Sequence, residues 1–141
     1  MNIYLLGLGS NISPQHNLEQ AIGRLNCVGE VLTTSPVLIT APVGDTFSGD
    51  FGNQLVILTT QLPPTMLKHQ LLSIELDMGR EPKSPARKTK DRTIDIDILQ
   101  QLPSTSLSEP HLPSNWAMVK WQIADSYYQD VLHFWRQQQA A

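Results

Sequence analysis

The chain has 141 residues, 40% of them hydrophobic and 16% charged, with a formal net charge of −3. That length suits one domain, able to bury on the order of 68–70% of its unfolded surface without disulfides or a structural metal. The composition excludes a disordered polyelectrolyte and the acidic balance argues against a nucleic-acid partner; no stretch approaches the ~20 apolar residues of a membrane span.

Ile3 to Leu8 is a short apolar run closed by Gly7 and Gly9, which predicts a buried strand. No basic segment precedes it, so no signal peptide is expected, and with Cys27 as the lone cysteine a cytoplasmic location follows. Ser13-Pro14 reads as an N-cap followed by proline at the first helical position. Leu18, Ala21, Ile22 and Leu25 then mark one face of a helix that stops near Gly29, with Cys27 expected to be buried. Val31 to Thr40 has strand composition, with Pro36 at a bulge or an edge. A turn-rich loop from Ala41 to Gly52 leads to an apolar strand from Leu55 to Thr60.

Pro63-Pro64-Thr65 opens a second helix with a stripe of Leu67, Leu71, Ile74 and Met78, ending at Gly79. A basic loop follows, and Thr93 to Leu99 then alternates strictly, as a strand does. Residues 100–115 read as loop, and the chain from Trp116 as helix, with Val131, Leu132 and Trp135 as its stripe and a frayed end from Gln137. The order β-α-β-β-α-β predicts an α+β fold of ferredoxin-like arrangement. Its antiparallel sheet would carry the helices on one face, with a C-terminal helical extension, all within a single domain of residues 1–141.

Asp95 and Asp97 stand two apart on the alternating strand, so both point to one face while Ile94, Ile96 and Ile98 point to the other. At a rise of ~3.3 Å per residue the two side chains start about 6.6 Å apart, close enough to hold one magnesium ion or bracket two. Two such charges repel by only about 0.6 kcal/mol in water but about 2.5 kcal/mol at an effective dielectric of 20, so the pairing is cheap on a wet face and costly in a cleft. Of the ten Lys and Arg residues, six (Arg80, Lys83, Arg87, Lys88, Lys90 and Arg92) fall between positions 80 and 92. Acidic metal ligands beside fixed guanidinium groups are what phosphoryl transfer needs, since its demands are positioning and neutralisation of oxygen charge.

Gly7-Leu8-Gly9-Ser10-Asn11 starts like a phosphate loop, but Ile12 stands where a third glycine belongs, so a tight turn capping the first strand is expected. His111 lies in a loop where it could donate to a phosphate oxygen; His16, His69 and His133 form no metal-ligand cluster and read as surface residues. Phe51 and Asn53 flank Gly52, an aromatic face and an amide suited to a flat heterocycle.

These pieces, in this order, resemble a known family, the 6-hydroxymethyl-7,8-dihydropterin pyrophosphokinases of folate biosynthesis. The resemblance rests on Leu8-Gly9-Ser10-Asn11-Ile12, Thr40-Ala41-Pro42-Val43-Gly44, Asp50-Phe51-Gly52-Asn53 and Ile74-Glu75-Leu76 with Gly79-Arg80. It continues through Arg92-Thr93-Ile94-Asp95-Ile96-Asp97-Ile98-Leu99, the most specific of them, to Pro110-His111. It implies a ferredoxin-like fold and a reaction in which a pterin hydroxymethyl oxygen attacks the β-phosphorus of ATP and AMP leaves. Asp95 and Asp97 would hold two magnesium ions, and Arg80 and Arg92 would contact the transferring phosphates. Glu75, Arg87, Lys90, Arg92, Ile98 and His111 would attend the nucleotide, and Thr40, Pro42, Val43, Phe51 and Asn53 the pterin.

The resemblance implies small-molecule partners alone, with neither nucleic acid nor membrane, and a monomer. Phe51 stands where the family usually has Tyr and Thr89 where many members carry an aromatic; residues 112–117 lack the family's Arg. These departures motivate a second reading, a catalytically weak or inactive homologue that binds nucleotide or pterin. A metal-dependent phosphohydrolase is a third.

Overall fold

The computed structural model describes residues 1–41, 50–80, 93–102 and 112–140. Within them the elements run β1 (Asn2–Ser10), α1 (Pro14–Leu25), β2 (Glu30–Thr34), β3 (Leu38–Thr40), β4 (Phe51–Thr60), α2 (Pro64–Asp77), β5 (Asp95–Leu102), a 3₁₀ turn (Trp116–Met118) and α3 (Ser126–Ala140). Three helices thus accompany a five-stranded sheet, a mixed α+β fold. Its strand order is β2-β4-β1-β5, with β3 on β4, and every pairing is antiparallel.

β1 lies centrally, between β4 and β5, and its continuous apolar run follows from having both faces covered. Tyr4, Leu6 and Leu8 face one way and meet the stripes of both early helices, Leu18, Ala21 and Leu25 of α1 with Leu67, Leu71 and Ile74 of α2. Ile3 and Leu5 face the other way, with Leu55 and Ile57 of β4, against Trp116, Trp121, Val131, Leu132 and Trp135. Each fully buried Leu or Ile contributes roughly 1.5–3 kcal/mol. Two cores therefore clamp the sheet, and β1 cannot slip by one residue without exchanging their side chains. Arg136 of α3 donates to the carbonyls of Ala117 and Val119, at 2.8 and 3.1 Å, tying the 3₁₀ segment to the last helix.

Several boundaries differ from expectation for identifiable reasons. The strand predicted over Val31–Thr40 is broken into β2 and β3 around Pro36, which has no N–H to give the ladder. Ser35 bridges the break: its Oγ accepts the Leu55 N–H at 2.8 Å, and its own N–H donates to the Leu55 carbonyl at 2.8 Å. Ser13 does precede α1, but with φ 41° and no side-chain cap. β5 continues to Leu102 through residues expected to be loop, because pairing with β1 runs on past a bulge to Ile3↔Leu102. The helix expected from Trp116 begins at Ser126, after one 3₁₀ turn, and persists to Ala140 where fraying was expected. Cys27, expected to be buried, is exposed, because α1 ends at Leu25 and the thiol falls beyond its packed stripe. Among the described residues no helix is long and apolar enough to cross a membrane.

Candidate active site

Gly7 and Gly9 do not form the expected turn; both lie inside β1, flanked by the strands that carry the site. Gly9 pairs with Asn53 of β4 on one side and Asp95 of β5 on the other, while Gly7 pairs with Leu55 and Asp97. All these residues alternate onto the sheet face that α3 covers, opposite Ile94 and Ile96, which sit in the α1–α2 core. The missing side chains leave a short trough on this face beside Gly9, with the Asn53 amide on one bank and the carboxylates on the other; over Gly7 the space is filled by a side chain of α3. The side chain of Asp95 is 17% exposed, so the bank is a cleft rather than open surface.

Electrostatics set Asp97 apart. Its carboxyl is pushed up to about 7, first by burial, then by the neighbouring Asp95 charge and a hydrogen bond with that carboxyl, with smaller contributions from Glu75 and Asp125. Like charges two residues apart on one face of a strand cannot both ionise cheaply when half withdrawn from water, so Asp97 retains a proton. A divalent cation relieves the same repulsion. The donor set, two carboxylates in a partly dry cleft, suits magnesium, which takes one or two carboxylates and completes its shell with water and phosphate oxygens. Among the described residues no group of three His, Cys, Asp or Glu side chains is placed to hold a metal ion by itself.

Behind the acid pair lies a buried ionic relay. Arg80 follows Gly79, which takes a φ of 93° just past the end of α2. Its Nη1 donates to Glu75 Oε1 at 2.6 Å and to Asp95 Oδ1 at 2.5 Å. Glu75 Oε2 accepts the Ile96 N–H at 3.2 Å, so one side chain of α2 grips the strand between the two aspartates. The Glu75 carboxyl is raised, chiefly by burial, with Arg80 pulling in the opposite direction. Arg80 is 8% exposed, and it stands here as a partner of Asp95 as well as a neighbour of the site.

Of the predicted site residues, Asn53 and Asp95 flank Gly9, and Asp97 stands next along the same face, opposite Gly7. Phe51 and Thr40 are paired at the end of the same face, since Thr40 registers with Phe51 as Leu38 does with Asn53. Ile98 packs with the α1–α2 core and Glu75 is engaged by Arg80 and Ile96, so neither faces the trough with the aspartates. Pro42, Val43, Arg87, Lys90, Arg92 and His111 lie outside the described residues. His16, His69 and His133 are exposed, as predicted.

Sequence reasoning missed Tyr128, which continues the Val131–Leu132–Trp135 stripe one turn back and is 1% exposed. A Cβ placed on Gly7 would fall within 3.0 Å of its ring carbons Cζ, Cε1 and Cε2. The phenol is raised by burial and then by the Asp95 and Asp97 charges, so it keeps its proton. The doublet Tyr127-Tyr128 at the head of an amphipathic helix was the available signal.

Comparison with known proteins adds an independent line. Residues 5–120 match the profile of the 7,8-dihydro-6-hydroxymethylpterin-pyrophosphokinase (HPPK) family. A relative from Porphyromonas gingivalis, named 2-amino-4-hydroxy-6-hydroxymethyldihydropteridine pyrophosphokinase, is 37% identical over 123 residues, covering 82% of this chain and 83% of its own. A Pseudomonas aeruginosa protein of the same name is 32% identical over 129 residues, covering 85% and 77%. One from Methylorubrum extorquens is 38% identical over 97 residues, covering 67% and 60%.

Proposed function

The chain belongs to the 7,8-dihydro-6-hydroxymethylpterin-pyrophosphokinase family, and from that premise we propose that it transfers the pyrophosphoryl group of ATP to 6-hydroxymethyl-7,8-dihydropterin, a step of folate biosynthesis. The bond that forms joins the pterin hydroxymethyl oxygen to the β-phosphorus. The bond that breaks joins the β-phosphorus to the oxygen that departs with AMP, and the hydroxyl proton is lost. One observation carries the reading: two carboxylates on one strand, the second holding a proton up to about pH 7, across a glycine-floored trough from the Asn53 amide.

Asp95 and Asp97 are the proposed ligands of two magnesium ions, which when bound would neutralise the phosphate oxygens. Arg80 and Glu75 fix the rotamer of Asp95 from behind, so the carboxylate meets its ligand without first ordering itself. Arg80 and Arg92 are proposed to face the transferring phosphates, with Glu75, Arg87, Lys90, Ile98 and His111 on the nucleotide side. Thr40, Pro42, Val43, Phe51 and Asn53 form the proposed pterin end, where the Asn53 carboxamide offers two donors and an acceptor to a ring edge. The sheet order supports a ferredoxin-like domain spanning residues 1–141, which we read as a cytoplasmic monomer. The test is to supply ATP, magnesium and the hydroxymethyl pterin and to separate the nucleotides chromatographically. AMP formation dependent on the pterin supports the reading; ADP or inorganic phosphate in its place would refute it.

A further inference from the structure

We infer that Tyr128 is a substrate-positioning residue, whose hydroxyl meets the hydroxymethyl arm of the acceptor as that arm crosses from Asn53 to the aspartates. The inference rests on the proposed function and adds to it a residue from α3. Along the trough floor, Gly7 is covered by the Tyr128 ring, in space that any Cβ at position 7 would claim. The ring is thus the inner end wall of the trough. Its hydroxyl points on toward Gly9 and lies 3.7 Å from where a Cβ on that residue would be. The Asn53 amide oxygen reaches the same spot from the other side, 2.9 Å from that Cβ position. Asp95 flanks Gly9 on the remaining side.

An acceptor whose ring is read by Asn53 and whose oxygen reacts beside Asp95 and Asp97 must carry its side arm over Gly9. The polar group waiting there is the Tyr128 hydroxyl, which offers a proton and lone pairs to the alcohol of the arm. The ring sets how deep the acceptor enters, and the hydroxyl distinguishes an arm that ends in oxygen from one that does not. A neutral hydrogen bond of this kind changes affinity roughly three- to tenfold.

Dihydropterin binding is measured calorimetrically in the presence of magnesium and a non-hydrolysable ATP analogue, comparing the 6-hydroxymethyl with the 6-methyl compound. In the parent protein the hydroxymethyl compound is expected to bind roughly three- to tenfold more tightly. In Tyr128→Phe, which keeps the wall and removes the hydroxyl, that preference collapses, the KM for the acceptor rises by a similar factor, and the KM for ATP stays within twofold. A ring that only packs would leave Tyr128→Phe with the parent's preference, and that result overturns the inference. So does equal binding of the two pterins by the parent, a measurement that needs no variant. Failure of the parent to form AMP at all would strike the proposed function instead.

Discussion

The proton that Asp97 keeps makes stability depend on pH in a direction opposite to that of most carboxylates. In the unfolded chain the Asp97 carboxyl titrates near 3.8, and in the folded protein at about 7. Between those values the folded state holds a proton that the unfolded state has released, so stability conferred at low pH is lost as pH rises toward 7. The raised Glu75 carboxyl acts with the same sign. At 1.36 kcal/mol per unit, the roughly two units of that shift lying between pH 5 and pH 7 would be worth about 3 kcal/mol; partial contact with water halves this to about 1.5 kcal/mol, or about 4–5 °C in Tm. Thermal melts of the magnesium-free protein at pH 5 and pH 8 test this against Asp97→Asn, which has no proton to lose. The variant should show little of the decline and should be the more stable of the two at pH 8. Saturating magnesium should flatten the parent's profile, since the cation replaces the proton. A parent Tm that does not fall between these pH values, or an equal fall in Asp97→Asn, would refute the coupling.

Two further outcomes follow from contacts around the site. Glu75→Ala strips the buried Arg80 of one partner and orphans the Ile96 N–H, and should cost about 3–5 kcal/mol in urea unfolding; a loss under about 1 kcal/mol would mean the relay is not holding β5. Gly7→Ala drives a methyl into the Tyr128 ring and should cost about 1–3 kcal/mol, while Gly7→Ala combined with Tyr128→Leu should recover part of that loss; additive losses in the double variant would contradict the interlock.

The parts of the molecule legible in the sequence are those where periodicity reports directly on burial. The stripes of α1 and α2 and the alternation of β5 placed both helices on one sheet face and both aspartates on the other. Less legible was anything decided by a partner distant in sequence. Gly7 and Gly9 look like punctuation locally, and only pairing with β4 and β5 makes them the floor of a trough. Arg80 reads as one of the basic residues expected at the phosphates, yet Glu75 five residues earlier and Asp95 across the fold both hold it. Tyr128 is indistinguishable from core in its helix stripe, and its hydroxyl acquires meaning from the side chain that Gly7 lacks. Cys27 misled for the converse reason, since an apolar preference is only a tendency and nothing packs over the residue after a helix has ended.

The most direct test of the aspartate pair as the transfer site follows the label from γ-phosphate-labelled ATP in parallel reactions of the parent and Asp97→Ala, with pterin and magnesium present. In the parent, the label should appear in the pterin diphosphate as AMP accumulates one for one, and in the folded Asp97→Ala variant the rate should fall by orders of magnitude. Label transfer at the parental rate in Asp97→Ala would contradict the account.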